Sequence, residues 1–177
     1  MMNANEAASA STLEAASHSL KARDSIARDA LRDSDRRHWL GVLARAPLAE
    51  IERHWHALEP KPGFGWLRPP ETGMVMVRGR IGGTGDPFNL GEMTVTRCAV
   101  CLADGATGIG YVKGRSARHA ELMALLDAML QTPSKGEPLR RAIIAPLEDG
   151  YRVRADSQAA KAASTMVEFF TVVRGDG

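Results

Sequence analysis

One short apolar run, Leu122–Leu130, constrains the fold more than any other feature of this chain. It reads Leu-Met-Ala-Leu-Leu-Asp-Ala-Met-Leu and lies in a segment, about Ser116 to Gln131, that is predicted to be helical. A helix that is apolar almost all the way round is normally covered on both sides. We therefore expect a sheet on one side and either a later helix or a second chain on the other.

The residues before that helix supply the sheet. Met74–Ile81 and Met93–Leu102 are rich in β-forming residues, and Asp104-Gly105 is a strong hairpin signal before a return strand at Ile109–Lys113. The pattern predicts an antiparallel meander.

The chain before the sheet is predicted to form a helical hairpin. Ser34 or Asp35 can cap a first helix, and Pro47 ends it and suits the start of a second helix, Leu48–Leu58. Prolines and glycines between residues 60 and 70 predict a rigid loop, with at most a short strand at Phe64–Leu67.

The chain after the apolar helix is predicted to be a connector, a polar helix and a last strand. The connector contains Pro133, Pro138 and Pro146, the helix covers about Gly150–Ala163, and the strand is Met166–Arg174. The fold class is α+β, one antiparallel sheet with helices packed against it. Residues 1–32 have few large apolar groups and are predicted to be a flexible tail, which leaves residues 33–177 as a single domain.

Composition argues against several functional classes. A formal net charge of +2 and an aromatic content of 5% give no support to nucleic-acid binding. No apolar run approaches the roughly 18–20 residues that a membrane span requires. Two cysteines, Cys98 and Cys101, make no disulfide framework, and the first residues do not resemble a secretion signal. We expect a cytoplasmic protein without a membrane segment.

Two motifs resemble metal sites, and neither has suitable geometry. Cys98 and Cys101 lie three apart in a predicted strand, so their side chains point to opposite faces. His54 and His56 lie two apart in a predicted helix, where spacings of three or four bring side chains together. We expect no metal site.

The glycine-rich stretch after the first long strand is predicted to be a turn. Gly82, Gly83 and Gly85 match neither the phosphate-binding loop nor the dinucleotide fingerprint, because no lysine–hydroxyl pair and no helix follow. Glycines that allow a positive φ explain the pattern.

Several cations are candidates for an anion site or for contact with a partner. Arg78 and Arg80 share one strand face with two methionines, and Arg97 lies on an otherwise apolar strand face, where it needs a carboxylate, a carbonyl or a ligand anion. A second group, Lys113, Arg115, Arg118 and His119, surrounds the start of the apolar helix, where local electrostatics disfavours cations. Either an anion or acidic surface binds there, or the cations are solvated.

A catalytic pair is not evident. His119 and Glu121 are two apart on a helix and face different ways, and no serine or cysteine nucleophile with an adjacent base can be identified.

An ordered set of short motifs resembles the PhnG family, a subunit of the bacterial carbon–phosphorus lyase system. The resemblance begins at about Asp35 and continues to the C-terminus, although the N-terminal tail is longer than is usual in the family and the proline-rich loop is particular to this chain. The motifs are Arg80-Ile-Gly-Gly-Thr-Gly85, Thr96-Arg97, Ala99-Val100, Lys113-Gly-Arg115, His119-Ala-Glu121, Ile144-Ala-Pro146 and Phe169-Phe-Thr-Val-Val-Arg-Gly-Asp176.

The resemblance implies a role in phosphonate catabolism. Members of the family act with PhnH, PhnI and PhnL to transfer the ribose triphosphate of ATP to methylphosphonate, displacing adenine. PhnH, PhnI and PhnJ form the core assembly with PhnG, and an iron–sulfur cluster and S-adenosylmethionine are expected on PhnJ. The resemblance implies no cofactor on this chain alone and no independent catalysis.

Two alternatives remain open from the sequence. One is a stand-alone enzyme that binds a phosphate-bearing substrate through the candidate residues Arg78, Arg80, Arg97, Lys113, Arg115 and His119. The other is a structural adaptor without a ligand.

Overall fold

The computed structural model describes residues 30–164 of the chain. The chain divides into two compact units, Met1–Gly41 and Val42–Gly177. In the first unit the described residues, 30–41, are helical, and this helix, α1, ends at residue 45. Helix is already present at residue 30, ahead of the cap predicted at Ser34 or Asp35.

The second unit contains the sheet and most of the helices. After α1 the elements are α2 (Leu48–Ala57), β1 (Phe64–Arg80), a single 3-10 turn (Ile81–Gly83), β2 (Pro87–Leu102), β3 (Thr107–Lys113), α3 (Ala117–Leu130), α4 (Pro133–Leu139), a π-helical turn (Arg140–Ile144) and α5 (Ala145–Ser164). The three strands form one antiparallel sheet in the order β1-β2-β3. The predicted α+β class, the meander and the N-terminal pair of helices are confirmed.

The two hairpins of the meander differ greatly in length. β2 pairs with β1 along nearly its whole length, whereas β3 pairs only with Val95–Cys101. The segments Met74–Arg80 of β1 and Pro87–Thr94 of β2 therefore continue past the end of β3 as a two-stranded ribbon, here called the arm. The rest of β2, together with β3 and the facing part of β1, is called the sheet base.

The sheet base packs its inner face on α3. Along β2 the side chains of Thr96, Cys98, Val100 and Leu102 are all buried. On β3 the inner positions are Gly108, Gly110 and Val112, and a Cβ on either glycine would collide with the α3 backbone, at Ala124 and Ala120 respectively. The missing side chains let the helix axis approach the sheet closely.

Buried residues line α3 on every side, as its sequence requires. All residues from Leu122 to Leu130 are buried, including Asp127, whose Oδ2 accepts the N–H of Ile109 on β3 at 2.9 Å. β2 and β3 cover one side, and α2 and α4 contact the helix as well. The later helix α4 contacts α3, as one of the two predicted alternatives requires, and the earlier helix α2 contacts it as well.

Two predictions from proline were wrong. Residues 64–70 belong to β1 and are not a loop. Pro69 and Pro70 are tolerated because β1 is an edge strand and because its pairing shifts register between Arg68 and Glu71, so neither proline has to donate to β2.

The connector after α3 is also helical. Pro133 occupies the first turn of α4, where its missing N–H has no helical partner to lose. Pro138 stands inside α4, just before the π-helical turn, and Pro146 lies in the first turn of α5. Helix α5 covers the predicted Gly150–Ala163 and begins earlier. The predicted strand Met166–Arg174 lies outside the described residues.

Helix α5 is held by contacts with residues near the end of α1 and in α2. The Arg154 Nη1 atom donates to Glu50 Oε1 at 2.7 Å, and the Arg45 guanidinium lies 4.8 Å from the centre of the Tyr151 ring. Leu147 at the start of α5 is buried, whereas most of the helix is exposed.

Candidate functional site

The glycine-rich stretch forms the turn at the tip of the arm. Gly82 and Gly83 have φ angles of 60° and 80°, in the left-handed region where side chains are strained. The Gly85 N–H donates to the Ile81 carbonyl at 2.9 Å, and Arg80 Nη1 donates to the Gly85 carbonyl at the same distance. One of the candidate arginines thus braces the turn of its own hairpin.

Arg78 and Arg80 are both exposed on the arm. Alternation along the strand puts them on the same face as Met74 and Met76. Glu92, opposite Met76 in the register, shares that face. Within residues 30–164 no carboxylate lies within ion-pair distance of either arginine.

Arg97 has an acidic partner within the chain. It stands directly opposite Glu71 in the register, and its Nε lies 2.6 Å from Glu71 Oε1 on the outer face of the sheet base. Arg68 Nη1 approaches the same carboxylate oxygen at 3.5 Å. Of the three partners that the sequence left open for Arg97, a carboxylate of the same chain is present.

The start of α3 has a regular cap. Ser116 Oγ accepts the N–H of His119 at 3.2 Å, and Arg118 contacts two acids, Glu121 at 2.9 Å and Glu52 at 3.7 Å. His119 is buried, and its Nε2 lies 2.8 Å from the Leu43 carbonyl oxygen. Two of the four cationic candidates here are therefore engaged by groups of the chain itself.

Lys113 and Arg115 remain exposed beside this cap. Lys113 pairs with Val95 in the register, so it is on the outer face of the sheet with Arg97. Arg78 and Arg80 are on the opposite face, by the same alternation. The candidates fall into separate groups and do not line one pocket, and Glu121 serves as a partner of Arg118.

The cysteine motif has the geometry expected from its spacing. Cys98 pairs with Gly110 on the inner face, and Cys101 pairs with Thr107 on the outer face. Burial raises the pKa of the Cys98 thiol to about 11. Burial, followed by the charge of Arg53, lowers the pKa of His54.

Across residues 30–164, no group of three or more histidine, cysteine, aspartate and glutamate side chains is arranged to hold a metal ion. In the same part of the chain, every helix is too short or too polar to cross a membrane.

Sequence reasoning missed the arm as a surface. Its large apolar side chains are mostly exposed: Met74, Met76, Ile81, Phe88 and Leu90. The available signal was the mismatch between two long predicted strands and a short return strand, because the return strand is too short to pair with the whole of its neighbour. Attention to single arginines and glycines hid it.

Comparison with known proteins gives a consistent result. The family model described as "Phosphonate metabolism protein PhnG" matches residues 34–175. A protein of Rhizobium meliloti (strain 1021), named alpha-D-ribose 1-methylphosphonate 5-triphosphate synthase subunit PhnG, is 42% identical over 158 residues, which cover 84% of this chain and 98% of the relative. With its helix pair, its meander and a match over most of its length, the chain belongs to the PhnG family.

Proposed function

We propose that this chain is a subunit of alpha-D-ribose 1-methylphosphonate 5-triphosphate synthase and acts in phosphonate catabolism. The observation that carries the proposal is the 42% identity to a relative of that name, over 98% of the relative's length. The proposed partners in this reaction are PhnH, PhnI and PhnL, with PhnJ as a further member of the core assembly.

The proposed reaction exchanges one bond at the ribose of ATP for another. The bond between the anomeric carbon and adenine breaks, and a bond from that carbon to a phosphonate oxygen forms, with the triphosphate retained. Adenine leaves with a proton. We assign ATP as a substrate of the complex, place the iron–sulfur cluster and S-adenosylmethionine on PhnJ, and assign this chain no cofactor. A cytoplasmic location follows from the use of ATP.

A supporting rather than catalytic part in that reaction agrees with the geometry. His119, the strongest acid–base candidate, is buried with its Nε2 at the Leu43 carbonyl, and Arg97 is paired with Glu71. The stand-alone phosphate enzyme would need the cations to converge, yet Arg78 and Arg97 are on opposite faces of the sheet. That alternative has no observation in its favour.

Reconstitution tests the proposal. The chain is co-expressed with PhnH, PhnI and PhnL, and adenine release from ATP and methylphosphonate is compared with a preparation that lacks only this chain. We expect release from the full set and none from the set without it or from the chain alone. Turnover by the isolated chain, or undiminished turnover without it, would contradict the proposal.

Two variants examine the supporting role. Arg97→Ala removes a partly exposed guanidinium whose partner is Glu71, and Lys113→Ala removes an exposed cation on the same face. We expect both complexes to assemble and to release adenine within a few-fold of wild type. An assembled but inactive Arg97→Ala or Lys113→Ala complex would instead place that residue in a functional site.

A further inference from the structure

We propose that the arm is the docking element of this chain, and that its occupant is a different subunit with an apolar surface bordered by carboxylates. The inference rests on the proposed function, because it assigns a place to the contact that a subunit must make. It goes further by locating the contact and by stating the chemistry of the partner.

The first observation is the exposure of large apolar side chains. Met74 is 67% exposed, Ile81 75% and Leu90 66%, and Met76 and Phe88 are also exposed. All five lie within residues 74–90. Exposed apolar side chains that cluster in one part of a fold mark contact surfaces, whereas single ones need no explanation.

The second observation is that both faces of the arm carry apolar side chains. One face carries Met74 and Met76, followed by Arg78 and Arg80. The other carries Val75, Val77, Phe88 and Met93. Leu90 lies close to this face, as shown by a Cβ built on Gly79, which would contact both Phe88 and Leu90. A ribbon of two strands is marginal in water unless a third strand or another layer packs on it.

The third observation is the open edge of β2. β3 covers β2 as far as Val95, and the chain turns away at Gly114, whose N–H donates to the Thr94 carbonyl at 2.8 Å. From Pro87 to Glu92, the edge that faces away from β1 has no strand beside it among the described residues. Such an edge is a template for a strand from another polypeptide.

The β1 edge differs between the two halves. Beside the sheet base it contains Pro69 and Pro70 and two register shifts, features that obstruct the addition of a strand. In the arm, Met74–Arg80 contains no proline and has one register shift, between Val77 and Arg78. The prolines are thus confined to the half beside the sheet base.

The charge of the arm indicates which kind of partner binds there. The methionine-bearing face has two arginines and one acid, Glu92, so it is positively charged. A second copy laid face to face would bring four arginines against two glutamates, an excess of like charge at the contact. A different subunit with carboxylates beside its apolar surface would pair with Arg78 and Arg80, and we assign the arm to such a partner.

Charge reversal tests the assignment. The arm variant is the double substitution Arg78→Glu and Arg80→Glu. The control is the double substitution Arg141→Glu and Arg152→Glu, at two arginines outside the arm whose side chains are 81% and 72% exposed. We expect the arm variant to bind the remaining synthase subunits at least about tenfold more weakly than wild type, since the new glutamates would face the partner's carboxylates across the interface. The control should bind as wild type does.

Each variant is first checked by thermal unfolding and circular dichroism, because a misfolded chain would also fail to bind. As a second arm variant, Met74→Ser with Met76→Ser keeps the charge and removes the apolar contact. Wild-type binding by both arm variants would overturn the proposal.

Photocrosslinking identifies the occupant directly. A photoreactive residue is placed at Met76 in the arm, with a control at Val153 of α5, which is 66% exposed. In the assembled complex, a crosslink from position 76 to another subunit supports the proposal. A crosslink from position 76 to a second copy of this chain overturns it, as does a crosslink from position 153 alone.

The proposed function and the docking role of the arm can be contradicted independently of each other. If wild-type chain neither joins the other subunits nor is needed for adenine release, the proposed function is wrong. If wild-type chain joins them and both arm variants join equally well, the function stands and the docking assignment is wrong.

Discussion

The arm and the sheet base are parts of one hairpin with different surroundings. In the base, β2 lies between two strands with α3 beneath it, and side chains such as Cys98 and Val100 are buried. In the arm the same two strands continue with no third strand beside them among residues 30–164, and Met74 and Leu90 are exposed.

This difference shows that the exposed apolar surface is not in α3, the most apolar segment, but in the arm. α3 is the segment that reads as requiring a second layer, yet the chain's own elements bury it. The arm has fewer apolar residues, and four of them, Met74, Met76, Phe88 and Leu90, are exposed. Assembly depends on the apolar surface that remains exposed to solvent after the chain has folded.

The largest effect is expected from filling the contact between β3 and α3. A Cβ at Gly110 would lie 2.7 Å from the Ala120 carbonyl carbon and nearer still to its oxygen. Gly110→Ala should lower the free energy of unfolding by about 3 kcal/mol, because backbone would have to move. Urea denaturation measures it.

The matched control is Gly73→Ala, where a Cβ has nothing within 4 Å. We expect it to stay within about 0.5 kcal/mol of wild type, the usual range for surface substitutions. Equal losses for the two variants would mean that the close approach of α3 to β3 is not a special constraint.

The buried Asp127 carboxylate should be next in size. Asp127→Ala leaves the Ile109 N–H without its acceptor, and losing a partner of a buried polar group costs about 1–3 kcal/mol. Asp127→Asn keeps an acceptor oxygen and should lose less. The same denaturation experiment compares them, and an alanine variant as stable as the asparagine variant would contradict the role given to this bond.

The two cysteines lie on opposite faces of the sheet base, so their reactivity reports how closed each face is. The pKa of Cys98 is raised by burial from 9.0 to about 11, so the folded chain holds this proton more tightly than the unfolded chain. Its contribution to stability is complete below the unfolded value and is lost as the pH rises from about 9 to about 11.

Cys98→Ala should therefore weaken the alkaline loss of stability in that pH window. Alkylation followed by mass spectrometry should also modify Cys101, which is only half-buried, well before Cys98. Equal alkylation rates at pH 8 would show that the inner face is not closed.

The smallest effect is expected on the outer face. A double-mutant cycle on Arg97→Ala and Glu71→Ala should give a coupling of about 0.2–1 kcal/mol, since both side chains are about half exposed. Added salt should reduce it. A coupling of several kcal/mol would indicate a much less solvated face.

Much of the fold could be predicted because local signals and packing agree. The apolar run of α3, the Asp104-Gly105 hairpin and the β-rich segments lie in elements of the predicted type, although β1 and β2 begin earlier than predicted, at Phe64 and Pro87. Proline gave two wrong predictions, a loop where the chain forms a strand and a connector where it forms a helix. It is compatible with an edge strand at a register shift and with the first turn of a helix, and the sequence alone does not distinguish these positions from a loop.

The candidate site was less accessible to sequence reasoning because pairing depends on tertiary contacts. The partner of Arg97 is 26 positions away in the chain, and the contact of His119 with Leu43 spans 76 positions. Neither could be inferred from spacing along one element. The exposure of the arm depends on where β3 ends, which is also a property of the assembled sheet.

Hydrogen exchange tests the central claim, that another subunit completes the arm. Amide exchange is measured by mass spectrometry for the isolated chain and for the chain in the reconstituted synthase. We predict rapid exchange in peptides from residues 74–80 and 87–93 of the isolated chain and strong protection in the complex, with peptides from β3 and α3 protected in both. Arm peptides that exchange at the same rate in the two preparations would contradict the account.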